Sequence, residues 1–154
     1  MNRLIDRLVT TALASSALAA ASLTAPSLAQ SDDCAAPTPI AGAVVVPFDL
    51  TTATPSGQGN VLQCVSGGTA SGFLGRDVWF CWTADCDGMV RISTCGLTQG
   101  DTVVAIYPET VGCSCPGDQV PLCCNDNACE KQSEVTCEVR CGVRYLIQVG
   151  TRPN

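Results

Sequence analysis

The stretch Asp77-Val78-Trp79-Phe80-Cys81-Trp82-Thr83 sets Val78, Phe80 and Trp82 against Asp77, Trp79, Cys81 and Thr83. That is the two-residue period of a strand with one buried face. Asp87-Gly88 then supplies residues that tolerate a tight turn. Residues 89–94 return with Val90 and Ile92 on one face, which reads as a hairpin. Downstream, residues 102–107 are nearly all apolar, as in a strand covered on both faces. Val135, Cys137 and Val139 alternate with Glu134, Glu138 and Arg140, and after Cys141-Gly142 the series Val143, Tyr145, Ile147 and Val149 forms a matching partner. Upstream, residues 43–48 are a β-branched run broken by Pro47, which suits an edge strand, and 61–65 and 120–124 are shorter runs. About eight short strands separated by turn signals predict an all-β sandwich or barrel. No segment carries a sustained helical period.

The first residues read differently. Arg3 and Arg7 precede an uncharged stretch, residues 8–23, rich in Ala, Leu, Ser and Thr, and Ser27 and Ala29 occupy the small positions that a signal peptidase needs. Residues 1–29 are therefore expected to be a cleaved signal peptide, with 30–154 a single domain exported to the periplasm or the extracellular space. Sixteen Ala-rich residues fall short of the roughly 20 needed to span a bilayer, and nothing later in the chain is long and apolar enough to be a membrane span.

Composition narrows the chemistry. The 154 residues include no histidine, so Ser-His-Asp and Cys-His hydrolases and His-ligated metals are excluded. Removing residues 1–29 leaves six basic and thirteen acidic residues, a charge of −7, which argues against a nucleic-acid partner. All twelve cysteines lie beyond the signal: Cys34, Cys64, Cys81, Cys86, Cys95, Cys113, Cys115, Cys123, Cys124, Cys129, Cys137 and Cys141. None stands three positions from another, so the Cys-x-x-Cys knuckle of zinc, iron-sulfur and thioredoxin-type sites is missing. At this density in an exported chain the cysteines predict a disulfide framework. Spacing leaves the pairing open, with one local preference. Cys124 and Cys129 flank the polar run Asn125-Asp126-Asn127-Ala128, which can turn, so they are the favoured local bridge. The vicinal Cys123 and Cys124 are expected to bridge different partners, because the normal bridge geometry is hard to reach between neighbours.

Asp77-Val78-Trp79-Phe80, Thr83-Ala84, Asp87-Gly88, Ile92-Ser93-Thr94-Cys95, Asp101-Thr102-Val103, Cys124-Asn125-Asp126 and Tyr145-Leu146-Ile147-Gln148-Val149-Gly150 occur in that order. Together they resemble the bacterial pre-peptidase C-terminal domain and its cysteine-rich secreted relatives, closely over 77–150 and loosely over 34–76. The resemblance implies a jelly-roll-like two-sheet β-sandwich without catalytic residues, an accessory to exported proteins that aids secretion or attachment to an extracellular protein or polysaccharide surface. The family module continues past Val149-Gly150 into a last strand. Here the expectation is either a C-terminally truncated module, part of a larger peptidase-associated protein, or a sheet with an open edge that favours pairing with another chain.

Asp101 and Asp126 stand at the family's recurrent acidic positions and are the candidate calcium ligands. The competing and favoured reading has Asp101 cap or hydrogen-bond a strand-entry turn and Asp126 make an Asx-turn. Asp85-Cys86-Asp87-Gly88 lacks the glutamate of a calcium loop, since Gly96 stands at the twelfth position, and reads as a turn. Trp79 is expected to pack and not to stack on a ligand. The alternative function is a small secreted hydrolase working through carboxylates alone.

Overall fold

A computed structural model describes residues 30–65, 72–108 and 110–152. The signal-peptide expectation falls on residues 1–29, outside the described residues. Seven strands form: β1 (Thr38–Ala41), β2 (Arg76–Thr83), β3 (Gly88–Ser93), β4 (Val103–Tyr107), β5 (Cys123–Asp126), β6 (Glu134–Val139) and β7 (Arg144–Thr151). Five build one sheet in the order β1-β2-β7-β4-β5, and β3 and β6 build a second. The all-β, disulfide-rich, two-sheet fold is as the alternating pattern predicts. No helix among the described residues is long and apolar enough to cross a membrane.

Four expectations about the strands are corrected. The 43–48 run is no edge strand: the strand lies just before it, at Thr38–Ala41, parallel to β2. Val46, Phe48 and Leu50 still alternate inward onto the core, so the run keeps the side-chain period of a strand without its ladder. Residues 61–65 turn, closed by the Cys64 N–H on the Val61 carbonyl, and their apolar residues serve burial instead of pairing. The third short run begins later than expected, at Cys123.

The fourth correction concerns topology. β2 and β3 are consecutive but do not pair; β2 lies between β1 and β7, and β3 pairs with β6. Likewise β6 and β7 belong to different sheets. The turns that read as hairpins are crossings between layers, and they run side by side. The Ala84 N–H donates to the Val143 carbonyl at 3.0 Å, and the Gly142 N–H donates to the Ala84 carbonyl at 2.8 Å. Alternation along a strand is the same in a hairpin and in a corner, so period alone cannot separate the two.

The large sheet is buried on both faces. Its inner face gives Val78, Phe80, Val104, Ile106, Ile147 and Val149 to a core shared with Val135, Cys137 and Val139 of β6. Its outer face gives Trp79, Val103, Ala105, Tyr107 and Leu146 to a second core, roofed by Val61, Val65, Leu74 and Val111 from connecting segments. Three bridges pin that roof: Cys34–Cys115, Cys64–Cys124 and Cys81–Cys113. Cys123–Cys137 ties β5 to β6, and Cys95–Cys129 ties the end of β3 to the loop after β5. The favoured Cys124–Cys129 bridge does not form. Asn125 and Asp126 continue β5 against Val104 and Val103, and the chain turns only at Asn127, whose φ is +70°. Extended backbone carries the two sulfurs apart. Cys123 and Cys124 do bridge different partners. Cys86 and Cys141 remain exposed thiols, the exceptions to a fully bridged framework.

Candidate functional site

A two-stranded sheet cannot cover a five-stranded one. Neighbouring strands lie about 4.8 Å apart, so β3 and β6 roof only part of the inner face. β6 stands over β5, to which Cys123–Cys137 ties it. On the far side residues 42–48 cross the sheet. Between them a cleft of about 650 Å³ opens, floored by Phe80 and Trp82 of β2 and by Ile147 and Val149 of β7. Its volume is that of an ordinary ligand site.

The walls have a particular character. Six successive residues, Met89 to Thr94, line one side, and five successive residues, Gly42 to Val46, line the other. Neighbouring strand residues point to opposite faces, so a cleft that meets them all runs along a strand's edge. β3 pairs with β6 on one side, and among the described residues no strand pairs with its other edge. Residues 43–48 make no backbone–backbone hydrogen bond among the described residues. Two rows of backbone donors and acceptors therefore flank an apolar floor. The Gly42 carbonyl is engaged by the Trp82 indole N–H at 3.2 Å, which holds that end of the wall to the floor. At the mouth Val45 is 81% exposed, Met89 67%, Val44 55% and Leu97 54%, an apolar rim in a chain that buries most of its large apolar residues.

The slot holds one ionisable side chain, Arg91, 3.5 Å from Glu134 across the ladder and largely exposed. Acid–base chemistry needs a titratable group facing the substrate, and the carboxylates lie elsewhere. Asp77 is 1% exposed, beneath the outer roof. It accepts from the Ser56 N–H at 2.9 Å, the Ser56 hydroxyl at 2.5 Å and Gln148 Nε2 at 2.6 Å. The Tyr107 hydroxyl donates to Gln148 Oε1 at 2.7 Å, completing the network. Burial pushes the Asp77 carboxyl above its ordinary range, against the lowering effect of those hydrogen bonds. Burial, with the Asp77 charge, pushes the Tyr107 phenol up as well. These groups hold residues 54–60 on the sheet. Gly59 is part of the fit, since a Cβ there would fall 1.9 Å from the Tyr107 hydroxyl.

Asp101 and Asp126 come to one end of the large sheet. Asp101 precedes β4; its Oδ1 is buried and meets no hydrogen-bond donor. Asp126 closes β5 opposite Val103, and Arg152 stands 3.8 Å from its Oδ2. Among the described residues the one group of three or more close metal-ligand atoms is Asp33, Cys34 and Cys115, and there both sulfurs are spent in a bridge. Trp79 packs, fully buried, with its ring centroid 6.0 Å from that of Tyr107. The Asp85-Cys86-Asp87-Gly88 turn puts Asp87 Oδ1 on the Cys141 N–H at 2.7 Å.

Sequence reasoning did not find the slot. Its one sequence signal is the Val44-Val45-Val46 run, with more apolar surface than an edge strand next to Pro47 needs. No family model, curated protein or solved structure matches the chain.

Proposed function

We propose that the chain is an exported, non-catalytic binding module whose slot takes up an extended, apolar segment of a partner protein by strand addition. The observation that carries this reading is the cleft along the open edge of β3, lined by successive residues on both walls. In strand addition, main-chain hydrogen bonds provide affinity and pockets for alternate side chains provide selectivity. The unpaired β3 edge offers the first, and the floor of Phe80, Trp82, Ile147 and Val149 offers the second. An extended peptide meets both demands. A polysaccharide would leave the apolar floor and the backbone groups poorly matched. The likeness to the pre-peptidase C-terminal domain agrees with an accessory role in attachment, and the five disulfides agree with an oxidising compartment.

Trp82 lies in the slot and the other tryptophan, Trp79, lies in the opposite core, so slot occupancy can be read by fluorescence. The probes are synthetic Val/Thr-alternating peptides of about 6 residues, the length of an ordinary strand, alongside N-methylated copies and soluble β-glucan oligosaccharides. The expected result is a saturable change with the unmodified peptide, slowed amide exchange over β3, and loss of both on N-methylation or on Val45→Asp. Binding of the oligosaccharide alone, or peptide binding indifferent to N-methylation, would overturn the reading. Peptide or glycoside turnover abolished by a single Asp→Asn change would replace it with the hydrolase.

A further inference from the structure

Twelve cysteines are present, ten are bridged, and the two that remain, Cys86 and Cys141, are both exposed. The fold brings them together. They sit on the two crossings between the sheets, which backbone hydrogen bonds hold side by side at Ala84, Gly142 and Val143. Cys141 lies astride the turn that contains Cys86: its N–H donates to Asp87 Oδ1 at 2.7 Å, and its Sγ is 3.1 Å from the Asp85 carbonyl oxygen. Across a trans peptide that oxygen is about 2.8 Å from the next Cα. Cys141 Sγ is therefore within about 6 Å of the Cys86 Cα, close enough for side-chain rotation to complete a bridge of ordinary span.

We propose that Cys86 and Cys141 close a sixth disulfide, which clamps the two crossings and is the accessible redox site of the framework. A low-molecular-weight disulfide such as glutathione disulfide is a sufficient oxidant. The Cys86 thiolate attacks one of its sulfurs, forming a mixed disulfide and expelling one glutathione thiolate. The Cys141 thiolate then attacks the Cys86 sulfur and expels the second. The two protons lost by the protein thiols pass to the two glutathione thiolates, so one disulfide is reduced as one is made. The bridge holds the start of β3 to the start of β7, and so sets the end of the slot wall. Its exposure makes it the first bridge open to a reductant.

The experiment is alkylation of the purified chain, unfolded in guanidinium, before and after incubation with glutathione disulfide, with bridges located by peptide mapping. The expected product after incubation takes up no alkyl group, is about 2 Da lighter than the form with two thiols, and yields one peptide pair joining Cys86 to Cys141. Brief treatment with a phosphine should then expose these two thiols together, ahead of the other ten. In Cys86→Ser, Cys141 should be alkylated or glutathionylated while the other five bridges stay as described. Persistence of both thiols after incubation, a bridge from either to any other cysteine, or Cys141 bridged to another protein cysteine in Cys86→Ser would each overturn the proposal.

Discussion

Replacing Asp77 by Asn is the sharpest test of the roof over the large sheet. Asp77 is an acceptor for three donors: the Ser56 N–H, the Ser56 hydroxyl and Gln148 Nε2. An amide in its place turns a donor towards one of them. Gln148 cannot answer by exchanging its own oxygen and nitrogen, because its oxygen accepts from Tyr107 and its nitrogen also donates to the Gln58 carbonyl at 3.2 Å. One unsatisfied buried donor costs about 1–3 kcal/mol, roughly 4 °C of melting temperature for each kcal/mol in a domain of this size. The sign of the pH dependence follows from burial. The folded carboxyl binds its proton more tightly than the unfolded one. Its contribution to stability is thus fully present below the ordinary value of 3.8 and is lost as pH rises through the raised folded value. Other carboxylates titrate too, but the difference between wild type and Asp77→Asn isolates this one. The deficit of the variant should be largest at acid pH and narrow towards neutrality. Calorimetry with the bridges intact, at pH values either side of that window, measures both quantities. Equal melting temperatures at every pH, or a deficit that widens as pH rises, would refute the account of the network.

Two further outcomes are expected. Replacing Cys34 and Cys115 by Ser opens a separation of 81 residues, and replacing Cys123 and Cys137 opens one of 14. Loop closure alone gives about 4.5 and about 3 kcal/mol respectively, a gap that the remaining bridges narrow. The first pair should therefore lower the midpoint of chemical unfolding further, and a reversed order would show that packing between layers sets the cost. Calcium at millimolar concentration should leave the melting temperature unchanged, because Arg152 already stands beside Asp126 and, among the described residues, neither Asp101 nor Asp126 belongs to a group of three close metal-ligand atoms. A rise in melting temperature that disappears in Asp101→Asn would place an ion there.

Much of the fold was legible because alternation is a local property. The 77–83 and 134–139 patterns located β2 and β6, and the nearly all-apolar run at 102–107 announced a strand buried on both faces. The same logic misjudged β2, where Trp79 and Asp77 are as buried as Val78. The second covering layer is made of loops with no period of their own, held by sulfur. Pairing was less legible, since the partner of a strand depends on which turns are corners. Ala84 and Gly142 act in that capacity only when brought against each other. The bridges were least legible. Cys64 reaches Cys124 and Cys95 reaches Cys129 across the fold, and the short polar loop between Cys124 and Cys129 carried no trace of either partner. The slot stayed hidden for a related reason: it is the space left where two sheets of unequal width meet.

The adjacent sulfurs of β5 carry a consequence for how the chain matures. Cys123 reaches inward to Cys137 and Cys124 reaches outward to Cys64. A slip of β5 by a single residue against β4 would swap the sides on which the two emerge, presenting each to the other's mate. Oxidation then proof-reads alignment: the correct pair of cross-links can be sealed only once the ladder is in step, and a mis-set strand is recorded as a scrambled isomer.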